Sequence, residues 1–352
     1  MADIDFSRWG VFAHKDDTGF GRQASDARAI LGIRHHLVIP SERLVDHPID
    51  GVTERWLPHD APEAQVRSLL SGLEGILFFE RHSWHPEILR IAREMDIFTV
   101  CVPNWEWFYG RAHQWSYCDL FVCPSRFTEK IVRSYGFTNT CFLPWLIDLS
   151  KLPRRQISGP ARHFIHNAGI VDRDDRKGTR DTIKAFCRLK RRDIRLTVRI
   201  QNEVELPPFD ERVNVQFGNL SSVSELYLTG DICIQPSKME GIGFMVLEPV
   251  CAGMPVITTN YPPMNEFVHQ HELRCRTRWR KRRAFASQWI SHAHLKLPRI
   301  SDLSRRIEWA ASTDLSSVST DNRQWAEATF DPQSLQIAWA RALSAITMSH
   351  YS

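Results

Sequence analysis

The strongest constraint on this 352-residue chain is an alternation of short apolar runs with longer amphipathic stretches. In the first half, strand-like runs fall at residues 9–13, 36–39, 75–79, 98–102, 120–123 and 140–143, with helix-like stretches at 23–31, 86–95 and 128–135. Strands that alternate with helices predict a parallel sheet covered on both faces. Residues 149–159, with Lys151, Pro153, Arg154, Arg155 and Gly159, read as a linker. The alternation then restarts: strands at 164–168, 195–200, 214–217, 232–235 and 255–259, and helices at 179–189, 224–227 and up to Gly253. Gly253 followed by Pro255 is a helix stop. The expectation is an α/β chain of two domains, residues 1–150 and 151–330, followed by a terminal helical segment over 331–352.

Composition narrows the class. The chain is 43% hydrophobic and 24% charged, which excludes general disorder. No apolar run reaches the roughly 18 residues needed to span a bilayer, and the acidic start, Met-Ala-Asp-Ile-Asp, lacks a signal-peptide layout. Eight cysteines are scattered without a CxxC pair, so they read as small buried hydrophobes in a reducing, cytoplasmic setting. Net charge is +4, but residues 274–283 hold seven basic side chains and no acid. The excess is one local strip.

Chemistry concentrates in residues 231–268. A strand ends at Gln235, Pro236-Ser237 begins a turn, and a helix is expected to start near Gly241-Ile242-Gly243. Glycines at a helix start let a ligand approach the backbone, where free N–H groups and the dipole favour an anion. Glu240 and Glu248 bracket this start. On a helical ruler they stand roughly 12 Å apart along the axis and about 80° around it. Carboxylates so placed suit sugar and ribose hydroxyls, because charge-assisted hydrogen bonds are the stronger kind.

This stretch resembles the retaining nucleotide-sugar glycosyltransferases of glycosyltransferase family 4. The resemblance rests on Glu240/Glu248 in E-x7-E spacing, Pro236-Ser237, the EGxG turn, the AGMPVI exit and Pro263-Met264-Asn265-Glu266. Upstream, Asp119 to Ser125, Asp148 and Arg176-Lys177-Gly178 fit the same pattern. The resemblance implies a GT-B fold: two Rossmann-like domains facing each other across a cleft, with the last helix, 334–346, crossing back to the first. It implies a UDP- or GDP-sugar as donor and no metal or other cofactor. Glu240 would contact the transferred sugar, Glu248 the ribose, and Lys177 the diphosphate. The amides of Gly241, Ile242, Gly243 and Phe244 would cradle sugar and phosphate.

Departures from the family pattern leave roles open. Gly169 is followed by Ile170 where the family places an arginine, which leaves Arg173 or Arg176 as the substitute. The first-domain histidine near the reacting sugar is missing from Val102-Pro103-Asn104-Trp105-Glu106-Trp107, so His82 and His85, or Glu80 and Glu106, are the alternatives for acceptor activation. Thr18-Gly19-Phe20-Gly21-Arg22 reads either as a turn facing the diphosphate or as a plain turn. Asp172-Arg173-Asp174 and Asp3-Ile4-Asp5 match a D-x-D metal signature that chance produces easily. Trp84, Trp105, Trp107, Trp115 and Trp145 could stack on sugars or bases, although core packing accounts for most of them.

The resulting expectation is a hexosyltransferase-type enzyme acting on a saccharide or lipid-linked saccharide. The strip that includes Arg278, Trp279 and Arg280 reads as a solvated loop or as a contact for an anionic acceptor or membrane surface. Hydroxymethylated DNA is the alternative acceptor, and a non-catalytic polyanion-binding protein on the same fold is the alternative of another class. A sugar epimerase or phosphorylase is the alternative within the fold. A dehydrogenase is disfavoured because no G-x-G-x-x-G follows the first strand of either half.

Overall fold

A computed structural model describes residues 4–16, 18–41, 48–80, 85–283 and 293–350. His82 and Trp84 of the candidate set, and Asp3, lie outside them. The described chain forms two compact units, residues 1–148 with 330–352, and residues 149–329.

The first unit is built on seven strands: β1 (Trp9–His14), β2 (His35–Ile39), β3 (Thr53–Trp56), β4 (Gly75–Glu80), β5 (Phe98–Pro103), β6 (Leu120–Cys123) and β7 (Thr140–Phe142). Their order is β3-β2-β1-β4-β5-β6-β7, and every pairing is parallel. Helices α1 (Gly19–Leu31), α2 (Glu63–Leu70), α3 (Ile88–Glu94) and α4 (Arg126–Ser134) make the crossovers. Central strands are buried on both faces, as Val11, Leu77, Val100 and Phe121 show, and this is why they read as unbroken apolar runs. Edge strand β3 reads Thr-Glu-Arg-Trp, has no apolar run and escapes the sequence pattern. Trp105, Trp115 and Trp145 are buried: Trp115 stacks on Phe78 at 6.2 Å, and Trp105 meets Phe127 edge-on at 5.0 Å. They are core residues, not exposed stacking platforms.

The second unit carries six parallel strands in the order β10-β9-β8-β11-β12-β13. These are β8 (His163–Gly169), β9 (Arg195–Ile200), β10 (Val213–Phe217), β11 (Ile232–Gln235), β12 (Val256–Thr259) and β13 (Arg274–Cys275). Helices α5 (Thr179–Cys187), α6 (Phe244–Cys251), α7 (Ile300–Ala310) and α8 (Ser316–Thr329) complete it. The segment that reads as a linker is bonded into this unit. Arg155 N donates to Ala252 O at 2.7 Å, its guanidinium reaches the Tyr227 and Gly230 carbonyls, and Ile157 N donates to Ser319 Oγ. The last helix, α9 (Pro332–His350), belongs to the first unit and packs on α1.

The basic strip is strand, not loop. Beyond β13, residues of β14 (Thr277–Arg283) pair antiparallel with β15 (His294–Pro298) as a separate two-stranded sheet. Arg274 is taken up structurally, its guanidinium bonding the Val268 and His269 carbonyls.

Candidate active site

In the second unit, the loops after β8 and β11 converge. The β8 loop turns through Asp175, whose φ is 50°, and Gly178, whose φ is 76°. A Cβ on Gly178 would lie 2.7 Å from Pro236 O, so only glycine lets the loop carrying Lys177 pack against the one carrying Glu240. The Asp175 carboxylate caps α5, accepting from Thr179 N at 2.8 Å and Arg180 N at 3.1 Å.

Glu240 sits at the meeting point and is 4% exposed. Lys177 Nζ donates to both its carboxylate oxygens at 2.8 Å. Arg176 approaches one of them at 3.9 Å. Burial opposes ionisation of Glu240, but Lys177, Arg176 and hydrogen bonds from Lys177 and Ser237 together hold its carboxyl below the usual range. Glu240 is therefore an anion in a cationic niche.

After Glu240 the chain passes Gly243, with φ of 88°, before α6 begins at Phe244. The helical ruler laid from Glu240 to Glu248 therefore does not hold, because the first of the two carboxylates precedes the helix. The first helical bonds run from Val246 N and Leu247 N to Gly243 O, so the amides of Gly241, Ile242, Gly243 and Phe244 precede the ladder. Glu248 lies on α6 and is 1% exposed, and Tyr227 donates to its Oε2 at 2.6 Å.

Two supports had no signal in the sequence. Lys238, 6% exposed, bridges Asp175 and Asp181 at 3.1 Å each, and its backbone N donates to Arg176 O at 2.7 Å. It ties the two loops together under the site. His166, fully buried on β8, is bonded to Ile234 O at 2.7 Å and Thr179 Oγ1 at 2.9 Å. Desolvation pulls its pKa down to about 4, with the bond to Ile234 O opposing. A motif search could find neither residue, since each acts through partners distant in sequence.

The other candidates separate into those near this site and those elsewhere. Arg176 reaches Glu240 and Met239 O, whereas Arg173 is exposed. Asp172 accepts from Arg176 N and so serves the turn, Asp174 is buried, and Asp5 caps Ser7 near the N-terminus. In the first unit, Gly19 and Gly21 form the first turn of α1, and a Cβ on Gly21 would collide with Asp16 O. His85 is buried, bonded to Ala61 O and accepting from Glu87 N, so it is a capping histidine. Glu106 is buried beside Trp105 in the loop after β5. Glu80 ends β4 with φ of 67° and accepts from Asn104 Nδ2 at 3.0 Å. A non-glycine residue held there is strained, a feature concentrated at functional sites.

Similarity to known proteins agrees with this architecture. Residues 170–281 match the family described as Glycosyl transferases group 1. A glycosyltransferase from Rickettsia africae ESF-5 superposes with a TM-score of 0.68 at 12% identity, covering 96% of this chain and 98% of that one. The lipopolysaccharide outer core galactosyltransferase WaaB gives 0.65 at 11% identity over 97% and 99% of the two chains. Sucrose-phosphate synthase from Thermosynechococcus elongatus gives 0.62 at 12% identity over 97% and 99%. No curated protein matches the chain in sequence. The shared fold is GT-B.

Proposed function

We propose that this glycosyltransferase, a GT-B protein carrying a group 1 glycosyltransferase domain, moves a hexose with retention from a UDP- or GDP-sugar to a saccharide or lipid-linked saccharide. The observation that carries this reading is the Lys177–Glu240–Arg176 cluster beside the amides that open α6. Departing diphosphate gathers negative charge, and two fixed cations beside unladdered amides are suited to stabilise it. Lys177 and Arg176 take this role, with Arg176 standing in for the arginine missing after Gly169. Glu240 accepts from hydroxyls of the transferred sugar, and Glu248, oriented by Tyr227, accepts from the ribose.

A nucleotide donor is supported by a fold neighbour, the pneumococcal O-GlcNAc transferase GtfA, whose structure is a complex with UDP and GlcNAc (TM-score 0.55). In the first unit, strained Glu80, its carboxylate held by Asn104, is the candidate for acceptor activation in place of the missing histidine. None of the eight cysteines is disulfide-bonded and six are buried, in keeping with the cytoplasmic setting inferred for the chain. Among the described residues no helix is long and apolar enough to cross a membrane.

The test is a panel of UDP- and GDP-sugars ranked by thermal shift, followed by NMR assignment of the product anomer. Retention with one preferred donor supports the reading, and an inverted product refutes it. Turnover should survive EDTA, since Lys177 and Arg176 supply the countercharge. Loss on chelation with rescue by manganese would return Asp172 and Asp174 to consideration.

A further inference from the structure

β14 reads Thr-Arg-Trp-Arg-Lys-Arg-Arg, with five cations, one aromatic and no acid. Its ladder with β15 sets Lys281 opposite Lys296 and Arg283 opposite His294. The hairpin is firmly rooted. Leu295 is fully buried, Arg276 N donates to Asp302 Oδ2 at 2.8 Å, and Arg299 N donates to Arg276 O at 2.9 Å. Lys296 N donates to Lys238 O at 2.8 Å, two residues from Glu240. Arg276 and Arg278 are exposed, and Trp279 is 86% exposed, the most of any large apolar side chain among the described residues.

We propose that the β14–β15 hairpin is a docking arm for the anionic face of a lipid bilayer, with Trp279 at headgroup level among the strand's cations. Tryptophan prefers this depth, and each Lys or Arg near an anionic leaflet adds attraction. Outside residues 274–283 the chain holds 38 basic and 41 acidic residues, a net −3, so the excess positive charge lies in this one strip and docking is oriented. A single-stranded nucleic acid track wants successive aromatic platforms, and within the strand residues of β13, β14 and β15 themselves the one such ring is Trp279. The bond to Lys238 means that a docked arm holds the Lys177–Glu240 cluster near the bilayer. The inference goes beyond the donor reading and does not depend on it.

The test uses the full chain with phosphatidylcholine vesicles, with and without phosphatidylglycerol, sedimented across a salt series beside single-stranded and duplex oligonucleotides. Binding to the phosphatidylglycerol vesicles alone is expected, weakening as salt rises. Arg278→Ser should weaken it about fivefold, and Trp279→Ala about tenfold. Unchanged melting midpoints serve as the folding control. No binding to anionic vesicles, variants that bind like the parent, or oligonucleotide binding that exceeds vesicle binding would each overturn the proposal. The readout needs no donor, so its failure is separable from failure of the proposed reaction.

Discussion

Lys177 Nζ lies 2.8 Å from both carboxylate oxygens of Glu240, on a carboxylate that is 4% exposed. The proposed reaction gives these two side chains different partners, the transferred sugar for Glu240 and the diphosphate for Lys177. Each holds the other in place, and under the proposed function a diphosphate would compete with Glu240 for Lys177.

Removing either member should therefore act on turnover. Glu240→Ala and Lys177→Met are each expected to lower kcat by about a hundredfold or more, the scale of losing one preorganised electrostatic partner. Donor affinity should fall much less in Glu240→Ala. Steady-state kinetics and nucleotide titration check both, and wild-type turnover in either variant would misplace the site.

Lys238 makes a different prediction, because its work is structural. Lys238→Met leaves the Asp175 and Asp181 carboxylates without their shared cation, which should cost about 3–5 kcal/mol. Urea unfolding measures the loss. Turnover in the surviving folded fraction should also drop, since the loops bearing Lys177 and Glu240 lose their tie.

For Tyr227→Phe the expected phenotype is in binding. Loss of the 2.6 Å bond to buried Glu248 should destabilise by about 1–3 kcal/mol. The Glu248 carboxylate also loses its orientation, so donor KM should rise several-fold with little change in kcat. Glu248→Ala should weaken donor binding further. A 2′-deoxyribose donor should lose less affinity in Tyr227→Phe than the natural donor does, and equal losses would show that Glu248 does not touch the ribose.

His166 sets a pH dependence. Its folded pKa is depressed to about 4 from the ordinary histidine value of 6.5, so between those values the unfolded chain binds the extra proton. Stability should therefore rise with pH from about 4 to 6.5 and flatten above. His36, buried in the first unit and pulled down to about 4 mainly by desolvation, acts in the same sense. In His166→Gln, the slope of urea midpoint against pH across this window should fall by roughly half. An unchanged slope would mean that the imidazole is not buried neutral.

Much of this molecule was legible before any coordinates. The doubly buried strands announce themselves, because a parallel sheet covered on both faces needs runs such as Gly75–Glu80 and Phe98–Pro103. Glu240, Glu248 and Lys177 could be named as candidates from sequence, since carboxylates and a cation beside glycines stand out at short spacing. Edge strand β3 and the hairpin strand β14 were not readable, because strands that leave one side to solvent need no apolar run. The same limit hid the supports of the site. Tyr227 finds Glu248, Lys238 finds Asp175 and Asp181, and His166 finds Ile234 only after the strands align in parallel, with partners 21 to 68 residues apart. Local pattern records what each residue needs from solvent and from its near neighbours. Which buried charge meets which partner is decided by the register of the sheet, and register is a property of the folded chain.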